Sequence, residues 1–128
     1  MNSHPPRVLA VGMNARNLQL LGEFLNARGC RSMTAQGLSA LDEILETESD
    51  IALALVDITD FAEGIWQRCR AMHEAGIRLL VISPRICTQT QARSALHGAR
   101  GMLVKPLAMR ELTALIQAML MEQAPQSP

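Results

Sequence analysis

Residues 51–57 read IALALVD, an unbroken run of apolar side chains that ends on an acid. A short, continuously apolar run is typical of a β-strand that is covered on both faces, as in parallel sheets. Such a strand needs helices above and below it, so this stretch predicts a layered α/β fold. Asp57 is then expected at the carboxyl end of the strand.

Four more strand-like runs flank this one, at residues 7–12, 30–34, 77–82 and 101–104. Each strand is followed by apolar residues that recur at helical spacing. Strands that alternate with helices pair in parallel through right-handed crossovers, which places helices on both faces of the sheet. The sequence therefore predicts an α/β fold of the doubly wound (βα)5 type, with one five-stranded parallel sheet.

The predicted helices carry their own start and stop signals. Asn14 suits the N-cap of the first helix, and Gly29 suits its end. The last helix is expected to carry Leu107, Leu112 and Ile116 among its apolar positions.

Length and composition set the domain organisation. The chain has 128 residues, of which 48% are hydrophobic, so one domain with a sizeable core is expected. We predict that domain over residues 7–121. An N-terminal tail would then span residues 1–6, and a C-terminal tail or linker residues 122–128.

Charge and cysteine usage exclude several classes of protein. Twelve basic and twelve acidic residues give a net charge of zero, which argues against nucleic acid as the main partner. No apolar run approaches the roughly 20 residues of a membrane span. Three scattered cysteines without metal-type spacing suit a reducing compartment, so a cytoplasmic protein is expected.

Three polar side chains close the predicted central strands. Asp57, Ser83 and Lys105 each follow an apolar run, and the carboxyl ends of parallel strands meet at one rim. Lys105 is the only lysine in the chain, since the other eleven basic residues are arginines. A carboxylate nucleophile, a hydroxyl donor and an ammonium together suit the handling of a phosphoryl group.

Three segments carry a resemblance to a known family, at residues 53–57 (LALVD), 80–83 (LVIS) and 102–106 (MLVKP). In this order and spacing they resemble the CheY-like receiver domains of response regulators, over about residues 7–121. The resemblance implies a flavodoxin-like fold with strand order 2-1-3-4-5. It implies roles for Asp57 as phosphoacceptor, Ser83 as switch hydroxyl and Lys105 as phosphate-binding lysine. It also implies a cis peptide bond before Pro106.

The chain departs from the family at the metal site. The resemblance implies Mg²⁺ as cofactor, held by two acidic residues after the first strand, but Gly12 and Met13 stand there. Asp57 and the backbone carbonyl of Thr59 would be nearly the only ligands, with Asp60 on the following loop. Mg²⁺ demands near-octahedral oxygen coordination, so its binding is put in question.

Further departures affect the residues that would bind the phosphoryl group and the residue that would respond to it. Pro84 follows the switch hydroxyl and has no N–H with which to bind a phosphoryl group. Met102 stands at the family's aromatic switch position, and Phe61 lies where the family has a turn proline. These changes predict weak phosphorylation or none.

Three functions remain open. The first is a receiver domain in a two-component phosphorelay, with a histidine kinase or phosphotransfer protein as donor and an output domain or protein as target. The second is a pseudo-receiver that acts as an interaction or dimerisation module without phosphorylation. The third is a flavodoxin-like nucleotide-binding protein, although no phosphate-binding glycine motif is present. No enzymatic activity is predicted, and a homodimer through the fourth helix, fifth strand and fifth helix is a hypothesis.

Overall fold

A computed structural model of the chain describes residues 5–121. Residues 1–4 of the predicted N-terminal tail and all of the predicted C-terminal tail, 122–128, lie outside the described residues. Ten elements alternate strictly between strand and helix. The strands are β1 (Arg7–Gly12), β2 (Arg31–Gln36), β3 (Ile51–Asp57), β4 (Arg78–Ser83) and β5 (Ala99–Val104). The helices are α1 (Ala15–Ala27), α2 (Gly37–Thr47), α3 (Gly64–Glu74), α4 (Thr88–Leu96) and α5 (Met109–Met121).

The five strands form one parallel sheet in the order β2-β1-β3-β4-β5. This confirms the predicted fold class and strand order. The order reverses between β1 and β3, which opens a crevice beyond their carboxyl ends. The register aligns the strand ends, because Asp57 lies opposite Ile82 and Ser83 lies opposite Val104.

Both faces of the sheet are covered by apolar packing. On one face, alternate strand residues pack against α1 and α5, with Leu25 and Leu112 fully buried. On the other face, the intervening residues pack against α2 and α3, with Leu41 and Met72 fully buried. Every residue of β3 is buried, which is why the sequence shows no polar alternation there.

The ends of α1 follow the predicted signals. The Asn14 side chain accepts a hydrogen bond from the Asn17 backbone N–H at 2.9 Å, which caps the helix. Gly29 follows the helix with φ +84°, a conformation that glycine adopts without steric cost.

The start of the last helix differs from the prediction. The helix α5 begins at Met109, so Leu107 lies in the loop after β5 and not on the helix. Leu107 is still partly buried and packs against the core on the α1–α5 side. Leu107 is apolar because this loop packs on the core. Its spacing from the apolar residues of α5 made it look like a helical position in the sequence.

Two further observations bear on the sequence-based expectations. Within residues 5–121, no helix combines the length and apolarity that crossing a bilayer requires. Cys30 and Cys69 are buried as small apolar side chains, and Cys87 is half-buried.

Candidate functional site

Asp57 is the last residue of β3 and lies at the crevice. Its side chain is largely buried, and the whole residue is 7% exposed. The next residue, Ile58, donates its backbone N–H to the Ile82 carbonyl at 3.0 Å, which continues the pairing of β3 with β4. The acid is thus held at the sheet rim by backbone bonds on the side of β4.

Lys105 reaches the same point from the end of β5. Its backbone N–H donates to the Ser83 carbonyl at 3.0 Å, which fixes the strand end beside β4. Its ammonium Nζ lies 2.8 Å from Asp57 Oδ2, in a salt bridge whose lysine side chain is 29% exposed. The peptide bond between Lys105 and Pro106 is cis, as the resemblance implied.

Thr59 completes the surroundings of the acid. Its backbone N–H and its hydroxyl both donate to Asp57 Oδ1, at 3.0 and 2.7 Å. The same hydroxyl accepts a hydrogen bond from the Lys105 ammonium at 3.2 Å. From the sequence only the Thr59 backbone carbonyl was expected at this site, and the role of its hydroxyl was not predicted. An aspartate commonly accepts from the backbone N–H two residues on, so only the Thr59 backbone bond could have been anticipated.

Ser83 lies beside this cluster at the end of β4 and is fully buried. Its hydroxyl donates to the Arg85 carbonyl at 2.8 Å and accepts a weak bond from the Arg85 N–H at 3.4 Å. The hydroxyl is therefore engaged with its own loop across Pro84. The structure brings Asp57 and Lys105 into direct contact, and it places Ser83 alongside with its hydroxyl bonded elsewhere.

The position after β1 is built for close packing and not for metal binding. A Cβ atom on Gly12 would lie 3.3 Å from Leu18 Cδ2 and 3.7 Å from Asp57 Cβ. The Leu18 side chain, which belongs to the core, thus covers the place of the family's first acid. Met13 is exposed and offers no oxygen ligand from its side chain.

Asp60 does not supply the missing carboxylate. It is exposed, and its φ of 63° places it in a tight turn that the Phe61 N–H closes by donating to the Ile58 carbonyl at 3.0 Å. Among the described residues, no group of three or more histidine, cysteine or acidic side chains is placed to hold a metal ion. One carboxylate already bonded to an ammonium is a poor match for the several oxygens that Mg²⁺ requires.

A second polar cluster joins α3 to α4 on the neighbouring side of the rim. The Arg93 guanidinium donates to both oxygens of the Glu63 carboxylate and lies over the Trp66 ring, 5.3 Å from its centroid. These bonds lower the pKa of Glu63. The His97 ring also lies beside Trp66, at 5.7 Å between centroids. Because Arg93 and His97 contact its ring, the fluorescence of Trp66 is expected to depend on the position of α4.

No protein-family model and no curated protein sequence matches the chain. Solved structures do match, and three of them share 19 to 22% sequence identity with the chain. A two-component response regulator from Clostridium difficile superposes with a TM-score of 0.85 at 19% identity, over 94% of this chain and 99% of that one.

Two further structures agree with the first. A CheY-like receiver domain protein from Methanospirillum hungatei has a TM-score of 0.84 at 22% identity, over 94% of this chain and 97% of that one. An orphan response regulator from H. pylori has a TM-score of 0.76 at 20% identity, over 90% and 96% of the two chains. At such identities the likeness establishes the fold, which is that of a response-regulator receiver domain.

Proposed function

We propose that this chain, which has the receiver fold, is a signalling domain that works as a phosphorylation-independent interaction module, a pseudo-receiver. The observation that carries the proposal is the state of Asp57, whose two carboxylate oxygens accept hydrogen bonds from Lys105 and Thr59. The acid at the phosphoacceptor position is thereby bonded within the domain itself.

The chemistry of phosphoryl transfer supports this proposal. Phosphoryl transfer to a carboxylate depends on cations that neutralise the charge on the transferred group. Gly12 and Met13 supply no acid to bind Mg²⁺, and Leu18 packs against the place of the first acid. Lys105 contributes a single positive charge, half that of a Mg²⁺ ion. We infer that the domain works without Mg²⁺ and that the ion pair stabilises the rim.

A second candidate is a receiver that is phosphorylated weakly at Asp57. It is favoured by the position of Ser83 at the same rim as Asp57 and Lys105, which brings a hydroxyl, a carboxylate and an ammonium to the ends of neighbouring strands. In that case a histidine kinase or phosphotransfer protein would be the donor. Lys105 would then release Asp57 to bind the phosphoryl oxygens.

In either case we propose that the output is a contact with another protein domain. Ile86 and Leu96 are large apolar side chains that stand exposed at the two ends of α4. A homodimer or an output domain would be accommodated on the side formed by α4, β5 and α5, whereas Leu96 lies on the α3 side of α4, beside Phe61 and Trp66. Cys30 and Cys69 are free and buried thiols, which is consistent with a cytoplasmic setting.

Incubation with Mg²⁺ and acetyl phosphate, followed by intact mass measurement, tests the proposal. We expect no phosphate adduct on the natural sequence and no Mg²⁺-dependent change in Trp66 fluorescence. An adduct that disappears in Asp57→Asn would overturn the pseudo-receiver proposal and favour the second candidate. The variant Met13→Asp is the positive control, because position 13 is exposed and an aspartate there adds a carboxylate at the rim without displacing Leu18, so it should gain a response to Mg²⁺.

A further inference from the structure

A groove opens between α1 and the loop that follows β5. Its volume is about 710 Å³, within the range of small-molecule sites in proteins. Leu20, Leu21 and Phe24 of α1 form one wall, and Leu107 and Met109 form the other. The groove therefore has an apolar body of a size that suits a small ligand.

The mouth of this groove leaves apolar side chains in water. Leu20 is 47% exposed and Met109 is 46% exposed, although both line the groove. Leu21 beneath them is buried in the core, so the floor of the groove is fixed. A ligand with an apolar chain would cover Leu20 and Met109 and gain the free energy of that burial.

One end of the groove is polar. Asn17, Asp57 and Lys105 line it there, and the remaining lining is apolar. A lysine ammonium carries three donors, and within residues 5–121 it has two acceptors, Asp57 Oδ2 and Thr59 Oγ1. One N–H of Lys105 is thus available to an acceptor on a ligand. The Asn17 amide stands at the same end and can donate as well.

Arg28 lies against Phe24 at the opposite end, outside the lining of the groove. Its guanidinium lies over the Phe24 ring, 4.2 Å from the centroid, and its Nε donates to Thr113 Oγ1 of α5 at 3.4 Å. Asn17 and Phe24 are seven residues apart on one helix, which corresponds to about 10 Å. The groove therefore accommodates a polar head and an apolar chain of about that length.

The hydrogen-bond donor that is available at the polar end determines which head group of a ligand fits there. Asp57 and Lys105 sum to zero, and Gly12 and Met13 add no negative charge where two acids would repel an anion. The more accessible partner of the pair is Lys105, whose side chain is 29% exposed against 10% for Asp57. A cationic head group would be repelled by the ammonium, whereas a carboxylate would accept a hydrogen bond from it.

We propose that this groove binds a soluble carboxylate with a medium-length apolar chain, such as a medium-chain fatty acid. The carboxylate accepts from the Lys105 ammonium and the Asn17 amide, and the chain lies along Leu20 and Phe24. The site goes beyond the interaction module proposed above, since it gives that module a chemical signal. It does not require that Asp57 be unphosphorylatable, so the two proposals fail in separate experiments.

Titration of the 128-residue protein with octanoate, followed by amide and methyl chemical shifts, tests the site. Octanoate should shift Leu20, Phe24, Leu107 and Met109 in a saturable manner, and octanol should bind at least ten-fold more weakly. That difference reports the head group, because the two ligands share the same apolar chain. Equal binding of octanoate and octanol would overturn the assignment of the carboxylate to Lys105.

Two charge variants on exposed leucines make a matched pair. Leu20→Glu places an anion in the apolar mouth of the groove and should weaken octanoate binding at least ten-fold. Leu96→Glu makes the same change at a residue of α4 that is 68% exposed and lies outside the groove, so it should leave binding unchanged. Equal loss in both variants would indicate nonspecific binding of an amphiphile and would overturn the proposal.

Other occupants of the groove would give different results. Groove shifts that depend on protein concentration, without any response to octanoate, would assign the groove to a second copy of the chain. Binding to phosphatidylglycerol vesicles without a response to octanoate would assign it to a lipid surface. Either result would overturn the proposal.

Discussion

Lys105 neutralises a carboxylate that is almost completely buried. Replacement by methionine keeps the length of the side chain and removes its charge, so Asp57 retains only the two donors of Thr59. A charged group that loses a partner inside a protein costs stability, and we expect Lys105→Met to lower the free energy of unfolding by about 1–3 kcal/mol. Urea denaturation at neutral pH measures this change.

The double variant Asp57→Asn/Lys105→Met provides the control for that measurement. It removes both charges, so it should be more stable than Lys105→Met alone if the loss comes from the unpaired carboxylate. A double variant that is no more stable than Lys105→Met would show that lysine packing, and not the ion pair, carries the stabilisation.

The three thiols are expected to differ in reactivity. Burial raises the pKa of Cys69 to about 12 and also raises the pKa of Cys30. At Cys87, hydrogen bonds from Thr90, chiefly from its backbone N–H, lower the pKa of the thiol. The thiolate is the reactive form and accumulates as the pH rises through the pKa.

Iodoacetamide should therefore modify Cys87 first as the pH is raised from 6 to 9, with Cys30 slower and Cys69 protected. Peptide mass spectrometry over a time course measures the order. The variant Cys87→Ser should abolish the fast phase. Modification of Cys69 at the rate of Cys87 in the folded protein would contradict the assignment.

For single residues, the sequence predicted which side chains lie at the rim more readily than the hydrogen bonds that they make there. Asp57, Ser83 and Lys105 could be placed at one rim because parallel strands end together. The bond of Ser83 to Arg85 and the hydroxyl bond of Thr59 to Asp57 depend on side-chain rotation in two loops. Nothing in the spacing of the sequence determines such rotations, so those two contacts were not predicted.

Among the helices of residues 5–121, α4 is the one without a buried apolar side chain. Ser94 is its one buried residue, and Leu96 points into solvent. On the side of α3 it is held by Arg93, which bonds Glu63 and covers Trp66. An element with few buried apolar contacts opens locally at low free energy. We therefore expect α4 to show the fastest amide hydrogen exchange of the five helices.

Acid should weaken the ion pair between Glu63 and Arg93 that holds α4. The pKa of Glu63 is lower in the folded state, chiefly through the hydrogen bond from Arg93, so the contribution of the pair is present above the ordinary glutamate pKa. It is lost as the pH falls through the lowered pKa, where Glu63 becomes protonated. Trp66 fluorescence and exchange in α4 should both change over that acidic range.

Glu63→Gln should remove that acid-induced change, because the side chain no longer titrates. Glu74→Gln, on the same helix, is the matched control and should retain it. A change of the same size in both variants would indicate general acid unfolding and not release of α4.

At the element scale, burial explains which boundaries were predictable. The strands β1, β3 and β4 were predicted to within one residue because they are apolar on both faces, and such runs have sharp ends. The edge strand β2 begins and ends later than predicted, at Arg31–Gln36, since only Ala35 in it is buried. The other edge strand, β5, begins two residues early for the same reason, with Leu103 its one buried residue.

At the scale of the whole molecule, one sheet carries two apolar layers. Leu53 faces the layer with α1 and α5, whereas Leu41 of α2 belongs to the layer on the opposite face, and both are fully buried. Truncation of such a side chain to alanine removes its burial and leaves a cavity, so Leu53→Ala and Leu41→Ala should each cost about 2–5 kcal/mol.

Because the strands β1, β3 and β4 contribute side chains to both layers, neither layer can unfold while the sheet persists. Both variants should therefore unfold in a single transition, shifted to lower denaturant concentration with an unchanged slope. Circular dichroism follows the whole sheet, and Trp66 fluorescence follows the layer of Leu41, so the two signals should coincide in each variant. Separate midpoints in Leu53→Ala would mean that the α1–α5 layer melts first, and that the receiver fold here consists of two cooperative units.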